Sequence, residues 1–438
     1  MTTLSSVRGT IFIAATYGCP NPLSETSTSI SLGTARRLTV TKQHLAGKLL
    51  KGSAREAIVS VIRDLGFVQW DPINVVAPSH VIALWSRVGS FRPSDLDRLL
   101  WDDKKLFEHW SHAASIVPTE DYPLHASLMR RYPESLSKSW GGWKARARTF
   151  LSQHAELRKR IMRQLKKGPL EASQFEDYAG TEKGADGWST GSDVSTMLFH
   201  LQMSGEVMVV GHQGPRNLWG LSEQFLPPWV GRTVLSESEA ELEGAERSIR
   251  ALGVASASNI NRYFLRGRYL NLKKALEDLQ GKSIIHRVHV QGLGGKDDLY
   301  VHDQDLPLLE AVNSAAWEPR MSLLAPFDNM VAVQEWTRRL FGFDYVHEQF
   351  LPKAKRKFGS FVLPILWGER FIGRLDPQMD RVNEKLLVNS IHAERGAPRG
   401  KEVASMIEET IAQFAGFLGA KEVAYSTRVP PAWKSSLR

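Results

Sequence analysis

Residues 154–228 run through helix (HAELRKRIMRQLKK), turn (GP), short helix (EASQFEDY), helix (GSDVSTMLFHLQMSG), strand (EVMVVG), turn (HQGPRN) and strand (LWGLSEQFLP), and residues 241–307 repeat that order. In the first copy Val194, Met197, Leu198 and Leu201 fall at i, i+3, i+4 and i+7, one apolar helical face. Leu272, Ala275, Leu276 and Leu279 make the matching face in the second. Helices followed by a strand-turn-strand wing form the winged version of a helix-turn-helix. Two matching units argue for a third. The 438 residues allow it, because single cores stop growing near roughly 250 to 300 residues and a chain of this length divides into domains.

The third unit is expected at the N-terminus. Residues 36–50 suit a first helix, and SARE at 53–56 is a capping box that opens a helix with Ile58, Val61, Ile62 and Leu65 on one face. Setting Gly66 in register with Gly205 and Gly281 places Gln69 and Asp71 on the first wing strand. The other units then carry Met208 and Val210, or Ile284 and His286, at those places. In an extended segment Gln69 and Asp71 share one face, and Val68 and Trp70 the other. One reading makes Asp71 the cap of a helix whose first residue is Pro72, which leaves Gln69 without a role. The other makes the pair functional, since local rules break most often where function demands it.

From about Glu318 the texture changes to short alternating strands, with a first turn at Trp367-Gly368-Glu369, followed by a helix with Val403, Ile407, Ile411 and Phe414 on one side. The expected fold is therefore α+β: three tandem winged-helix domains and a C-terminal β-barrel-like domain. The divisions are a flexible extension over 1–27, a first winged helix over 28–118 carrying QWD, and a basic connector over 119–150. A second winged helix covers 151–230, a third 236–312, and the β-domain with its terminal helix 318–438.

Charge suggests the partner. The whole chain has a net charge of +9, yet residues 130–168 alone carry twelve lysines and arginines against Glu134 and Glu156, a local excess of +10. Tyr132, Trp140 and Trp143 interleave with them. Such a strip suits a phosphate backbone, with a solvated helix face as the plainer alternative. Lys144, Arg146, Arg148, Arg158, Lys159 and Arg160 are the candidate DNA contacts here, and KAKRK adds Lys353, Lys355, Arg356 and Lys357. A third cluster gathers Arg262, Arg266, Arg268, Lys273 and Lys274. One cysteine, Cys19, excludes an internal disulfide framework and a cysteine-rich zinc site, which fits a reducing cytosol. No apolar run approaches the roughly 18 residues of a membrane helix. His109 and His112 hint at a metal, but without a third nearby ligand they read as packing or DNA-contact residues. Gly292, Gly294 and Gly295 read as turn glycines, because no GxxxxGK[ST] accompanies them. His80 and Trp85 could line a cleft or fill a core.

VQWDPINVVAPSH, FEHWSHAASIVP (107–118), LLAPFDNMV (323–331), RRLFGFDY (338–345) and KAKRKFGSFVLPILWGERFIGRLDPQMDR (353–381) resemble the AlkZ/YcaQ family of bacterial DNA glycosylases. The resemblance runs from about residue 29 to 420. It implies three tandem winged-helix domains and a β-domain in a C-shaped DNA clamp, and excision of N7-alkylated guanines, including those in interstrand crosslinks. The family motif of Gln, an apolar residue, then Gln or Asp maps onto Gln69, Trp70 and Asp71, which become the implied catalytic residues. The Asp form is associated in the family with broader alkylated-guanine repair, the Gln form with self-resistance in antibiotic producers. Trp70 departs from the usual aliphatic residue, and the N-terminal extension has no family counterpart.

The implied chemistry gives both side chains work. An N7-alkylated guanine leaves as a neutral base, so no general acid is needed. An ionised Asp71 can stabilise the developing oxocarbenium ion and activate a water that Gln69 orients. The chain is thus expected to be a monofunctional, cofactor-free and metal-free enzyme acting as a monomer on double-stranded DNA in the nucleoid-containing cytoplasm. The rival reading is a non-catalytic winged-helix regulator, although three different units in one chain imitate no two-fold operator.

Overall fold

The computed structural model describes residues 28–136, 140–178, 190–426, 428–434 and 437; the expected extension over 1–27 lies outside them. The fold is α+β, and one order of elements occurs three times. The first unit has helix Ala54–Leu65, strand Val68–Gln69, helices Ser79–Val88 and Pro93–Asp97, and the hairpin Leu106–Trp110 with Ala114–Pro118. The second has helix Ala155–Leu165, strand Leu170–Glu171, a 3-10 segment Ala172–Tyr178, helix Thr190–Met203, and the hairpin Val207–Gln213 with Arg216–Leu221. The third has helix Glu237–Leu252, strand Ala255–Ser256, helices Ala257–Arg262 and Leu272–Gly281, and the hairpin Ile285–Val290 with Leu299–His302. In each, the two-residue strand pairs antiparallel with the second strand of its hairpin.

That pairing corrects the register expected for the first unit. Helix Ala54–Leu65 opens the unit instead of preceding its wing, and Gly66 takes a positive φ of 80° at that helix's end. Gln69 therefore lies on the short strand, opposite Ser115, and its counterparts are Glu171 and Ser256. Both are polar, so the contrast with apolar relatives disappears in the true register. Helix Leu32–Lys42, shorter than the 36–50 expected, is not part of this unit. It packs on helices Glu237–Leu252 and Gln334–Phe341, while Thr28–Ile30 adds a parallel strand to the third unit's sheet beside Ile285–Val290.

The apolar faces read from periodicity are buried, including Ile58, Val61, Ile62 and Leu65, and Val194, Met197, Leu198 and Leu201. The Ser53–Glu56 capping box forms as well. Behind residue 320 the expected barrel-like domain is a partly curled five-stranded sheet, a half-barrel: Met321–Leu323, Leu363–Trp367, Arg370–Asp380, Lys385–Ala393 and Glu422–Tyr425 pair in that order, and among the described residues the two outer strands do not pair with each other. The expected turn at 367–369 joins its second and third strands. Helix Lys401–Phe417 buries Val403, Ile407, Ile411 and Phe414 against it.

Three facts of packing position the site. The first unit and the C-terminal sheet share one apolar core, with Ile58 and Ile82 in the same cluster as Leu363 and Phe414. A buried ion pair sits between the same two parts: Arg87 meets Asp328 at 2.7 and 2.8 Å through two guanidinium nitrogens, both side chains fully inaccessible. The second unit keeps a core of its own around Ile161, Met197 and Val209.

Candidate functional site

The segment after Phe67 is set by its neighbours. Asn329 donates to the Phe67 carbonyl at 2.9 Å and to the Tyr263 hydroxyl at 3.0 Å, and that hydroxyl donates to the Leu65 carbonyl at 3.0 Å. The third unit and the C-terminal domain thus brace the strand from behind. Gln69 faces a cleft of about 760 Å³ whose wall includes His112, Arg262, Arg266, Phe327 and His347. His112 stacks on Phe67 at 5.0 Å within 4° of parallel, and its Nδ1 donates to the Tyr263 carbonyl at 2.8 Å. Burial, with Arg266 adding to it, lowers the His112 pKa to about 4, so this ring is neutral at pH 7.

Asp71 lies beyond the strand, where strict alternation no longer governs side-chain direction. No helix starts at Pro72; the next begins at Ser79, with Pro78 as its cap. The capping reading of Asp71 therefore fails. Instead its carboxylate closes the loop, accepting from the Ile73 amide at 3.2 Å and from the Ser79 hydroxyl at 3.1 Å. The group is buried, and desolvation raises its pKa while those two donors oppose the rise. A carboxylate in this state is a stronger base than one in water. The Asp71 amide points at His80 Nδ1, 3.5 Å away, which requires an unprotonated nitrogen. Burial agrees, pushing the His80 pKa down to about 3.

The other sequence candidates separate clearly. Trp85 is a core residue whose ring meets Phe414 at 4.7 Å, tilted by 47°. His109 is buried against His125, rings 4.9 Å apart, away from any surface that could meet DNA. Among the described residues no three His, Cys, Asp or Glu side chains gather as a metal site would require. Gly292, Gly294 and Gly295 all adopt positive φ, and a side chain on Gly295 would meet the Arg339 guanidinium, so they serve the turn.

The basic strip lies on helices Gly141–Gln153 and Ala155–Leu165. Lys144 and Arg148 share Glu134, Arg158 pairs with Glu206, and Lys159 with Glu156 at 2.8 Å. Arg146 lies over the Trp143 ring, and Arg160 is exposed. Exposed pairs of this kind contribute little, so phosphates can compete for these cations. Trp143 meets Phe199 edge-on, and Phe199 meets Trp110 of the first hairpin the same way, which links the strip to the hairpin whose second strand pairs with that of Gln69. In KAKRK, Lys353, Lys355 and Lys357 are exposed, whereas Arg356 is occupied with the Leu351 and Gln349 carbonyls.

Of the third basic cluster, Arg262 and Arg266 join the cleft, but Arg268 is buried and holds the Ser111 carbonyl at 2.7 Å. Lys273 and Lys274 face Glu277 and Asp278 on their own helix. Phe327 and His347, stacked at 4.5 Å, complete the cleft, and neither stands out in the sequence. LLAPFDNMV contains the phenylalanine; nothing local marks the histidine.

Residues 62–417 match the DNA glycosylase AlkZ-like family. Among solved structures, the Streptomyces sahachiroi DNA glycosylase AlkZ superposes with a TM-score of 0.64 at 17% sequence identity, covering 92% of this chain and all of that one. At that identity the likeness concerns the fold. The family match spans most of the chain and takes in Gln69, Asp71 and every cleft residue named above, and so this chain belongs to the DNA glycosylase AlkZ-like family.

Proposed function

We propose that the protein is a monofunctional DNA glycosylase that hydrolyses the N-glycosidic bond of N7-alkylguanine, crosslinked guanines included, and leaves an abasic site. The observation that carries this reading is Gln69, open to an arginine-lined cleft, two residues before a buried Asp71 carboxylate fixed by Ile73 and Ser79. In this reading the C1′–N9 bond breaks as the alkylated base departs neutral, and a water held by Gln69 adds its oxygen to C1′. Asp71 faces the cationic sugar and takes the water's proton. No step needs an acid for the leaving group, and the neutral His112 in the cleft wall agrees with that. A guanine tethered to the opposite strand cannot swing fully into a closed pocket, so a cleft suits the substrate better than a deep cavity.

The three repeated units are read as winged-helix modules of a C-shaped clamp. The strip from Lys144 to Arg160 and the KAKRK lysines hold the phosphate backbone of a duplex, and Arg262 and Arg266 hold phosphates near the lesion. The enzyme is read as a monomer working on the nucleoid without cofactor; among the described residues no helix is long and apolar enough to cross a membrane. The test is incubation of purified protein with alkylated duplex DNA, followed by chromatography of the released bases. Free N7-methylguanine is expected. Binding to the duplex with no base released under any condition would leave a DNA-binding module and end the glycosylase reading.

A further inference from the structure

The second unit reaches the loop that carries Gln69 and Asp71 through His212. His212, on strand Val207–Gln213, lies parallel to Trp70 within 7°, ring centroids 4.7 Å apart. His80 stacks on the same indole at 4.2 Å and 20°. Trp70 is thus stacked against two imidazoles, one from its own unit and one from the next. Trp101 closes the edge of His212 at 5.4 Å, and His212 Nε2 is hydrogen-bonded at 2.6 Å to Oε1 of Glu108, which is buried on the first unit's hairpin. The outer imidazole cannot swing away without abandoning a buried carboxyl.

The backbone around Trp70 shows why this matters. Its own amide donates to the Ala114 carbonyl at 2.8 Å, the next amide points at His80, and the Ile73 amide closes on the Asp71 carboxylate. The indole lies between Gln69 and Asp71 in sequence, so the plane in which it is held sets where the two flanking side chains stand. The buried core of the second unit contains no residue of the 67–88 segment, and Trp101 of the first unit packs against both cores, so the stack belongs to the contact where the two units dock. A large flat ring is also what such a contact requires: an aliphatic residue at position 70 offers no face for two imidazoles.

We infer that His212 is a positioning residue: by stacking on Trp70 while anchored to Glu108, the second unit sets the geometry of Gln69 and Asp71, and the site is complete only when the two units are docked. This rests on the glycosylase reading for its effect on rate, and His212 itself touches no reacting atom. A shift of about 1 Å in a water-positioning pair slows chemistry on the order of 100-fold.

Three variants separate stacking from mere attachment. His212→Ala removes both the ring and its hydrogen bond, His212→Gln keeps a hydrogen-bonding partner for Glu108 without a ring, and His212→Phe keeps the ring without that bond. Single-turnover release of N7-methylguanine should fall roughly 10- to 100-fold in the alanine and glutamine variants, and stay within about threefold of wild type in the phenylalanine variant, with duplex affinity within about twofold throughout. Amide hydrogen exchange without DNA provides a second readout: residues 70–78 should exchange about tenfold faster in His212→Ala. If the alanine variant releases base at the wild-type rate, or glutamine rescues where phenylalanine does not, the positioning role is refuted. If even the wild type releases no base, the glycosylase reading fails, and the exchange of residues 70–78 still decides the matter: unchanged protection would refute the hold of His212 on the loop.

Discussion

Individual residues divide here into those legible in the sequence and those that depend on the fold. Gln69 and Asp71 stand out as a polar pair in an apolar run, and the surroundings of both depend on how the chain folds back around them. Asp71 owes its environment to Ser79, eight residues on, and Gln69 owes its cleft to Arg262, Arg266 and Phe327, which no local pattern connects to it. His125 shows the same limit from another side. It lies in the core between Phe107, Phe264 and His109, neither ring nitrogen has a partner among the described groups, and burial holds its pKa well below the ordinary 6.5. The unfolded chain therefore takes up a proton as the pH falls through about 6.5, while the folded chain does not, and stability is lost in that direction. Replacing it by leucine removes this dependence. In urea denaturation, the stability of His125→Leu relative to wild type should grow by about 1.4 kcal/mol for each pH unit below 6.5. Parallel curves from pH 7 to pH 5 would mean that His125 is protonated in the fold.

Elements are legible where periodicity is strong and obscure where chain distant in sequence decides the partner. The helices of the second and third units follow their apolar stripes, and the turn after Trp367 lies where the alternation breaks. The first unit misleads because glycines end different helices alike: Gly66 follows a first helix, Gly205 a last one. Strand Thr28–Ile30 and helix Leu32–Lys42 carry no sign that they belong beside the third unit, since the strand's partners lie some 260 residues away in sequence. The basic helices make the testable element. Alanine at Arg146, Arg158 and Lys159 preserves helix propensity and removes three exposed cations. The slope of log affinity against log salt for duplex DNA should flatten by roughly 0.9 for each phosphate no longer neutralised, with no change in sequence preference. An unaltered slope would put the duplex on another face.

At the scale of the whole molecule, the first unit is the hub: it shares a core with the C-terminal sheet, takes its bracing from the third unit, and receives His212 from the second. The buried Arg87–Asp328 pair is the polar fastening of this arrangement, with Gln43 accepting from the same guanidinium. Asp328→Asn keeps the shape and the contact to the Met330 amide but leaves a buried guanidinium without its counter-charge, which should lower unfolding free energy by roughly 3 to 5 kcal/mol. A change below about 1 kcal/mol would mean that water reaches the arginine. The same arrangement exists, in this account, to hold one carboxylate at one sugar, and Asp71→Asn addresses that directly. Asparagine is nearly isosteric; its amide oxygen can still accept from Ile73, and its amide nitrogen can donate to the Ser79 hydroxyl, so the loop should persist. Only the charge and the basicity disappear. The decisive measurement is single-turnover release of N7-methylguanine by Asp71→Asn beside wild type, with duplex affinity and thermal midpoint measured on the same preparations. The rate should fall by roughly two to four orders of magnitude while the other two quantities barely move. Wild-type excision by Asp71→Asn would contradict the account and take the chemistry away from this residue.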